Sequence, residues 1–318
     1  MGFFKTALFL AALTAIFMSA GWLMGGNSGM LMALVLAVGM NAGAWWFSDK
    51  LVLAQYGATE VTRATSPEFY GIVEELAQRA QLPMPRVYIA PSDQPNAFAT
   101  GRSPEHAAVC ATSGLLQRLT HDEIRGVMAH ELSHVKHRDT LIMTVAATIS
   151  GALGNLARMV MFMGMSRGND RENRSPLGGL GVLLATLLAP LAAMLIQFSI
   201  SRTREFAADR RGAEISGDPL ALASALANLH NSARQIDMPQ ADANPASAHM
   251  FIVNPLHGGG LSALFATHPP MEERIARLQQ MAATGSIPLR TAPSAQARGP
   301  WSESDKDPDI RPASGPWG

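Results

Sequence analysis

Apolar residues fall along this chain in two rhythms. Four runs are almost unbroken: Phe3–Met24 with only Lys5 inside it, Met30–Phe47, Thr140–Met165 and Leu177–Ile200, the later pair interrupted only by Arg158. Each is about as long as a helix must be to cross a hydrocarbon core of roughly 30 Å. Four transmembrane helices in two pairs are therefore expected, in residues 1–48 and 140–200. A secretory signal peptide is the alternative for the first run, with Met18-Ser19-Ala20 where cleavage would fall. Met is a poor upstream residue for such a site, and a second apolar run follows at once, which favours an uncleaved span.

Between and after these pairs the spacing becomes that of a soluble unit, in residues 49–139 and 201–285. Ser66-Pro67 is a helix start, and Phe69, Ile72, Val73, Leu76 and Ala80 then recur at helical spacing until Pro83 and Pro85. Val87–Ala90 and Ala107–Thr112 predict short strands, with a loop over Asn96–Gly101. Thr120 and Glu123 form a capping box that opens another helix. Ser201–Gly217 reads as helical, Asp218-Pro219 caps a helix to about Ala233, and Pro270–Ala283 is a last amphipathic helix. Gln235–Gly260 is a long Pro/Gly/Asn-rich loop, and residues 286–318 turn to Pro, Ser, Gly and charge, which predicts a disordered tail. The fold class is mainly α with a small β-sheet (α+β), joined to four membrane helices.

Composition sharpens this picture. Only 16% of residues are charged and 47% are hydrophobic, below the usual quarter of charged residues in a soluble domain. Acidic and basic residues balance at 25 each, so no global field would draw in nucleic acid. The single cysteine, Cys110, excludes an internal disulfide and reads as a small buried apolar residue. Lys5 and Lys50 flank the outer ends of the first pair, and Arg202, Arg204, Arg210 and Arg211 follow the second, which puts those ends in the cytoplasm. The link Met165–Pro176 carries Arg167, Arg171 and Arg174, offset by Asp170 and Glu172; it is either external despite them or part of a hairpin that does not fully cross.

The chemistry concentrates in His130-Glu131-Leu132-Ser133-His134. On a helix the two imidazoles share one face, one turn apart, where they can hold a metal, and Glu131 stands beside the first as a general base. Neutral imidazole suits zinc, which lowers the pKa of bound water to roughly 7. A catalytic site needs a third protein ligand. His137 is near the same face, but Lys136-His137-Arg138 is also the basic flank expected before a membrane span. Glu205 and Asp209, four apart after the second apolar pair, are the stronger pair: Glu205 as ligand, Asp209 as acceptor for a ligand imidazole. The alternative is that both pair with Arg202, Arg204, Arg210 or Arg211 on a solvated face. Topology favours the ligand reading, since two spans or a hairpin return the chain to the side of His134. His106, His121, His230, His249 and His257 have no partner at ligand spacing and read as surface or loop residues.

With these residues in place the chain resembles the HtpX-type membrane metallopeptidases, relatives of the CaaX prenyl endopeptidases. The resemblance runs from the first span to about Ala283 and is carried by Asn96–Gly101, His130–His134, Ser201–Asp209 and Thr267-His268-Pro269-Pro270-Met271-Glu272-Glu273-Arg274. It implies a zincin-like domain holding one Zn2+ per chain on His130, His134 and Glu205, with Glu131 as base and Asp209 supporting a ligand histidine. His268 would stabilise the oxyanion and Arg274 would brace the site. Asn96, Ala97 and Phe98 would line the substrate cleft. A substrate would add as a strand to a sheet edge, and Ala107–Thr112, with Ala107, Ala108, Val109 and Cys110, is the strand expected to serve. The implied task is hydrolysis of peptide bonds in misfolded or damaged membrane proteins, from a multi-pass site in the bacterial inner membrane with the active site facing the cytoplasm. A metal-holding scaffold without activity is the second reading, and Glu131 beside His130 argues against it. A transporter would need ionisable residues inside the spans, where Arg158 is the one candidate.

Overall fold

The computed structural model describes residues 2–148, 202–243, 245–256 and 268–285. Of the expected second pair, residues 149–200 lie outside them, as does the expected tail at 286–318.

The two first apolar runs form one long element, α1 (Gly2–Gln55), broken where Gly25 and Gly26 leave helical backbone and Gly26 takes φ 57°. Beyond the break the chain folds back on itself. Gly21 and Gly29 meet so closely that a Cβ on Gly21 would sit 2.5 Å from the Gly29 carbonyl oxygen. Further along, Asn41 Nδ2 donates to Thr14 Oγ1 at 3.0 Å, an interhelical bond of the kind that joins apolar helices. Among the described residues no single helix is long and apolar enough to cross a membrane. The bent pair Gly25–Gly43 and Trp45–Gln55, inclined at 62°, meets that length and composition together.

A four-stranded mixed sheet follows: β1 (Thr59–Val61), β2 (Arg86–Ala90), β3 (Ala97–Gly101) and β4 (Ala107–Thr112), in the order β1-β2-β4-β3. β2 and β4 are parallel, and the other pairs antiparallel. Two expectations are corrected here. Asn96–Gly101 was expected as a loop, but Ala97–Gly101 is a strand, because Ala97–Gly101 pairs residue for residue with Ala107–Ala111. Ala107–Thr112 is not an edge: hydrogen bonds to β2 on one side and β3 on the other leave Ala107, Ala108, Val109 and Cys110 no free backbone for a substrate. The edge is β3.

Alternation along these strands builds two cores. Val87, Ala97, Ala99, Val109 and Ala111 face α2 (Pro67–Ala80), α4 (His121–Lys136), α7 (Pro219–Ala233) and α9 (Met271–Ala283). Tyr88, Phe98, Ala108 and Cys110 face the opposite way, against Val52, Leu53 and Tyr56 at the end of α1 and Ile142 and Met143 of α5 (Asp139–Thr148). The apolar positions that predict α2 are its buried face. Burial also raises the Cys110 thiol pKa far above its ordinary value, so it stays neutral. A short α3 (Ser113–Arg118), capped by the Thr112 hydroxyl, leads to α4. The capping box that opens α4 is formed as expected. The other Glu123 oxygen accepts from Ser224 and Asn228 of α7, at 2.6 and 2.8 Å. Within the expected 235–260 loop lie α8 (Pro239–Ala243) and a 3-10 turn, Pro245–Met250. His249 is on this loop but buried, its Nε2 3.1 Å from the Met143 carbonyl.

α6 (Arg202–Ser216) packs on α4 through Glu205, Ala208, Asp209, Gly212 and Ala213, all buried. Gly212 lets the helices touch: a Cβ there would lie 2.9 Å from the His130 Cα. Gly212→Ala is therefore expected to cost about 1–3 kcal/mol by overpacking. Gly71→Ala, on α2 where a Cβ meets nothing within 4 Å, is expected to be neutral or stabilising by about 0.5–1 kcal/mol. Denaturant unfolding of both variants in detergent checks the contrast; equal midpoints would refute the close contact.

Candidate active site

α4 carries His130, Glu131 and His134 on buried turns, and α6 brings Glu205 and Asp209 to the same place. His130 and His134 Nε2 are 3.2 Å apart. Glu205 Oε2 is 3.8 Å from His130 Nε2, and Glu205 Oε1 is 3.6 Å from His134 Nε2. Each imidazole has its other nitrogen beside a carboxylate: His130 Nδ1 is 2.9 Å from Asp209, and His134 Nδ1 is 3.4 Å from Asp139.

This donor set fits a metal ion. With Nδ1 of each ring beside a carboxylate, the two Nε2 atoms are the ones turned towards each other and Glu205. Glu205 Oε2 is buried with no hydrogen-bond partner among the described residues. Ligand atoms of His130, His134 and Glu205 all lie within 4.8 Å of one another. A tetrahedral ion with ligands about 2.0–2.1 Å away would separate its ligand atoms by roughly 3.3 Å, close to the spacings here. The electrostatics make the same demand. Burial opposes a charge on His134, yet Asp139, Glu205 and Glu131 push its pKa up to about 9. The cluster thus draws a positive charge to its centre, and a proton answers only one of the contacts that a metal would satisfy.

Glu131 differs. Burial pushes its carboxyl up to about 7; Glu205 adds to this, while His134 and the Ala99 N–H oppose it. A group poised near neutrality can accept and return a proton. Burial, with the charges of His134 and Arg274 beside it, lowers the His130 pKa against the pull of Asp209, which favours the neutral ligand form. Glu205 is held well below the usual carboxylate range by His268, His134 and Arg274, in spite of its burial.

Neither Glu205 nor Asp209 turns to the flanking arginines as the alternative would have it: Arg204 pairs with Asp139 and Arg210 with Glu214. Arg274, fully buried, instead grips Asp209 with Nε and Nη2 at 2.8 and 2.7 Å, and its Nη1 donates to the Ile252 carbonyl at 2.9 Å. His268 Nδ1 is 3.4 Å from Glu205 Oε2, at a cavity of about 390 Å³ shared with His230, Val253 and Met271. His137 turns away, its Nδ1 2.8 Å from the Ser133 carbonyl of its own helix. Asn96 sits at the start of β3, donating to the Val253 carbonyl at 2.8 Å. The edge at Ala97–Phe98 is already covered: Phe98 bridges Phe251, and the Ile252 N–H donates to the Ala97 carbonyl at 3.1 Å. Asp139 and Arg204, part of this site, carry no sequence signal, since Asp139 follows His134 by five residues and so falls off its helix face.

Two imidazoles and a carboxylate converging beside a glutamate of raised pKa could hold a metal ion next to a proton acceptor. Residues 64–282 match the model of Peptidase family M48. The chain is 58% identical over 286 residues to the Protease HtpX homolog of Ralstonia nicotianae, covering 89% of this chain and 98% of that protein. It is 58% identical over 281 residues to the Protease HtpX homolog of Burkholderia multivorans, at 88% and 97% coverage. The chain belongs to peptidase family M48. A crystal structure of S. mikatae Ste24p superposes with a TM-score of 0.48 at 18% identity, over 84% of this chain and 62% of that one.

Arg274→Ala would leave Asp209 charged and buried, and is expected to cost about 3–5 kcal/mol. The Asp209 carboxyl, with Arg274 and His130 outweighing its burial, lies at about 2, against 3.8 ordinarily. Its folded pKa is depressed, so its contribution is fully present above 3.8 and is lost as pH falls towards 2. At 1.36 kcal/mol per unit this is about 2 kcal/mol. Stability measured from pH 2 to 5 should lose that acid limb in Asp209→Asn; an unaltered limb would place its origin elsewhere.

Proposed function

We propose that this chain is a zinc-dependent endopeptidase of a membrane, cleaving misfolded or damaged membrane proteins at a site on its cytoplasmic side. The convergence of the His130, His134 and Glu205 lone pairs next to Glu131 carries this reading. Bound on those three residues, zinc would polarise the scissile carbonyl and acidify its water. Glu131 takes up the proton released there and delivers it to the leaving amine. His268, on the cavity side of Glu205, is placed to donate to the oxyanion.

Substrate lies extended along the outer edge of β3, whose Ala99 N–H is next to Glu131. A peptide pairing as far as Ala97 takes over the hydrogen bond now made by Ile252. Two observations support the membrane. Among the described residues, the large hydrophobic side chains left exposed lie in α1, apart from Met84 and Leu220. Trp45 and Trp46 stand near the end of α1 where an interfacial belt is expected, with the Arg102 guanidinium 4.4 Å over the Trp46 ring. The inner-membrane location and substrate class rest on the likeness to the HtpX homologues.

The test uses the full chain in detergent and an unfolded protein substrate. Wild type should cleave it, lose activity to a chelator and regain it with zinc. Glu131→Gln should retain zinc yet lose about 10²–10⁴-fold in rate, the usual worth of a positioned general base. Cleavage by Glu131→Gln at the wild-type rate would overturn the assignment.

A further inference from the structure

Behind each imidazole of the site stands a carboxylate, and behind each carboxylate an arginine. His130, Asp209 and Arg274 form one such series, sealed in the interior. The other is His134, Asp139 and Arg204: Nδ1 to Oδ2 at 3.4 Å, then Oδ1 to Nη1 at 3.2 Å. The two Asp139 oxygens are thus divided between two partners. Burial disfavours charge on Asp139, but His134 and Arg204 hold it below the ordinary range.

The backbone goes out of its way to build the second series. α4 ends at Lys136, where the His137 N–H still donates to the Ser133 carbonyl. Arg138 then adopts φ 57°, a left-handed conformation that costs a non-glycine residue energy. That reversal brings Asp139 back beside His134 and starts α5 in the same step. Asp139 is where the chain departs on its apolar excursion. Arg204 is where it returns, one residue before Glu205.

We propose that Asp139 is a positioning residue of the metal centre. It fixes the His134 ring with Nε2 towards the ion, while its pair with Arg204 ties the two ends of the apolar excursion to that ligand. The proposal rests on His134 being a metal ligand. An acceptor on Nδ1–H selects the tautomer that leaves Nε2 free to coordinate and sets the ring plane; losing such a partner typically weakens metal binding 10–100-fold. Arg204 aims the carboxylate and restrains the first turn of α6.

Zinc retention against a competing chelator, measured on the full-length protein in detergent, tests this independently of activity. Asp139→Asn keeps the volume and the helix-capping capacity of Asp139, so a residue that merely caps α5 would tolerate it. The expected result is a 10–100-fold loss of zinc affinity with the melting temperature of the metal-free protein unchanged. Arg204→Gln, which leaves the Asp139–His134 contact in place, should weaken retention several-fold. If the asparagine variant does not fold, Asp139→Ser keeps a cap without a carboxylate and is read the same way. Zinc held as tightly as by wild type in the Asp139 and Arg204 variants, while His134→Ala loses it, overturns the role of Asp139 alone. Undiminished zinc in His134→Ala overturns the ligand assignment itself, and the proposal with it.

Discussion

Two imidazole nitrogens 3.2 Å apart, both presenting lone pairs to a buried carboxylate, repel one another unless a positive charge lies between them. A proton on His134, whose pKa is pushed up to about 9, answers this between the two rings but leaves Glu205 Oε2 without a hydrogen-bond partner among the described residues. The surrounding structure supplies what holds the conflict in place. Gly212 lets α6 approach the backbone of His130. Arg274 neutralises Asp209 in a fully buried position, where an unpaired carboxylate would cost several kcal/mol. The protein accepts an unfavourable metal-free arrangement in return for a preformed site, as pre-organisation requires.

The sheet separates this site from the apolar part of the chain and also joins them. Its odd-numbered positions in β3, Ala97 and Ala99, pack towards the catalytic helices, while Phe98 packs between Tyr56 and Phe251 on the other face. A strand of alternating Ala and Phe does this because its side chains point to opposite faces with period two. The β3 edge, the backbone beside Glu131 and the contact with the end of α1 therefore share five residues of backbone.

Much of this was legible in the residues. The capping box of Thr120 and Glu123, the i, i+4 histidines and the apolar face of α2 are local patterns with a physical cause in the backbone geometry, and each appears where the spacing puts it. Glu205 and Asp209 were legible only as a pair with two possible sets of partners, since spacing cannot tell a solvated helix face from one packed on α4. The errors are non-local. Asn96–Gly101 contains Asn, Thr and Gly, which read as loop, and Ala97–Gly101 becomes a strand through pairing with Ala107–Ala111, across a turn that the composition does not announce. The rank of β4 within the sheet depends on that same pairing, so one misreading produced the other. Asp139 was invisible because a left-handed Arg138 has no compositional signal.

Splitting the metal ligands across an excursion has a thermodynamic cost that bears on how the site is built. Asp139 and Arg204 are 65 residues apart, and closing a flexible loop of that length costs about 3–4 kcal/mol of chain entropy beyond a constant. One ion pair, part-buried as this one is, does not by itself offset this. The burial of α6 on α4 can: Ala208, Gly212 and Ala213 lie in a contact that excludes water, and His130 sits at its centre. Packing therefore brings the halves of the site together, and the charged residues set its geometry afterwards.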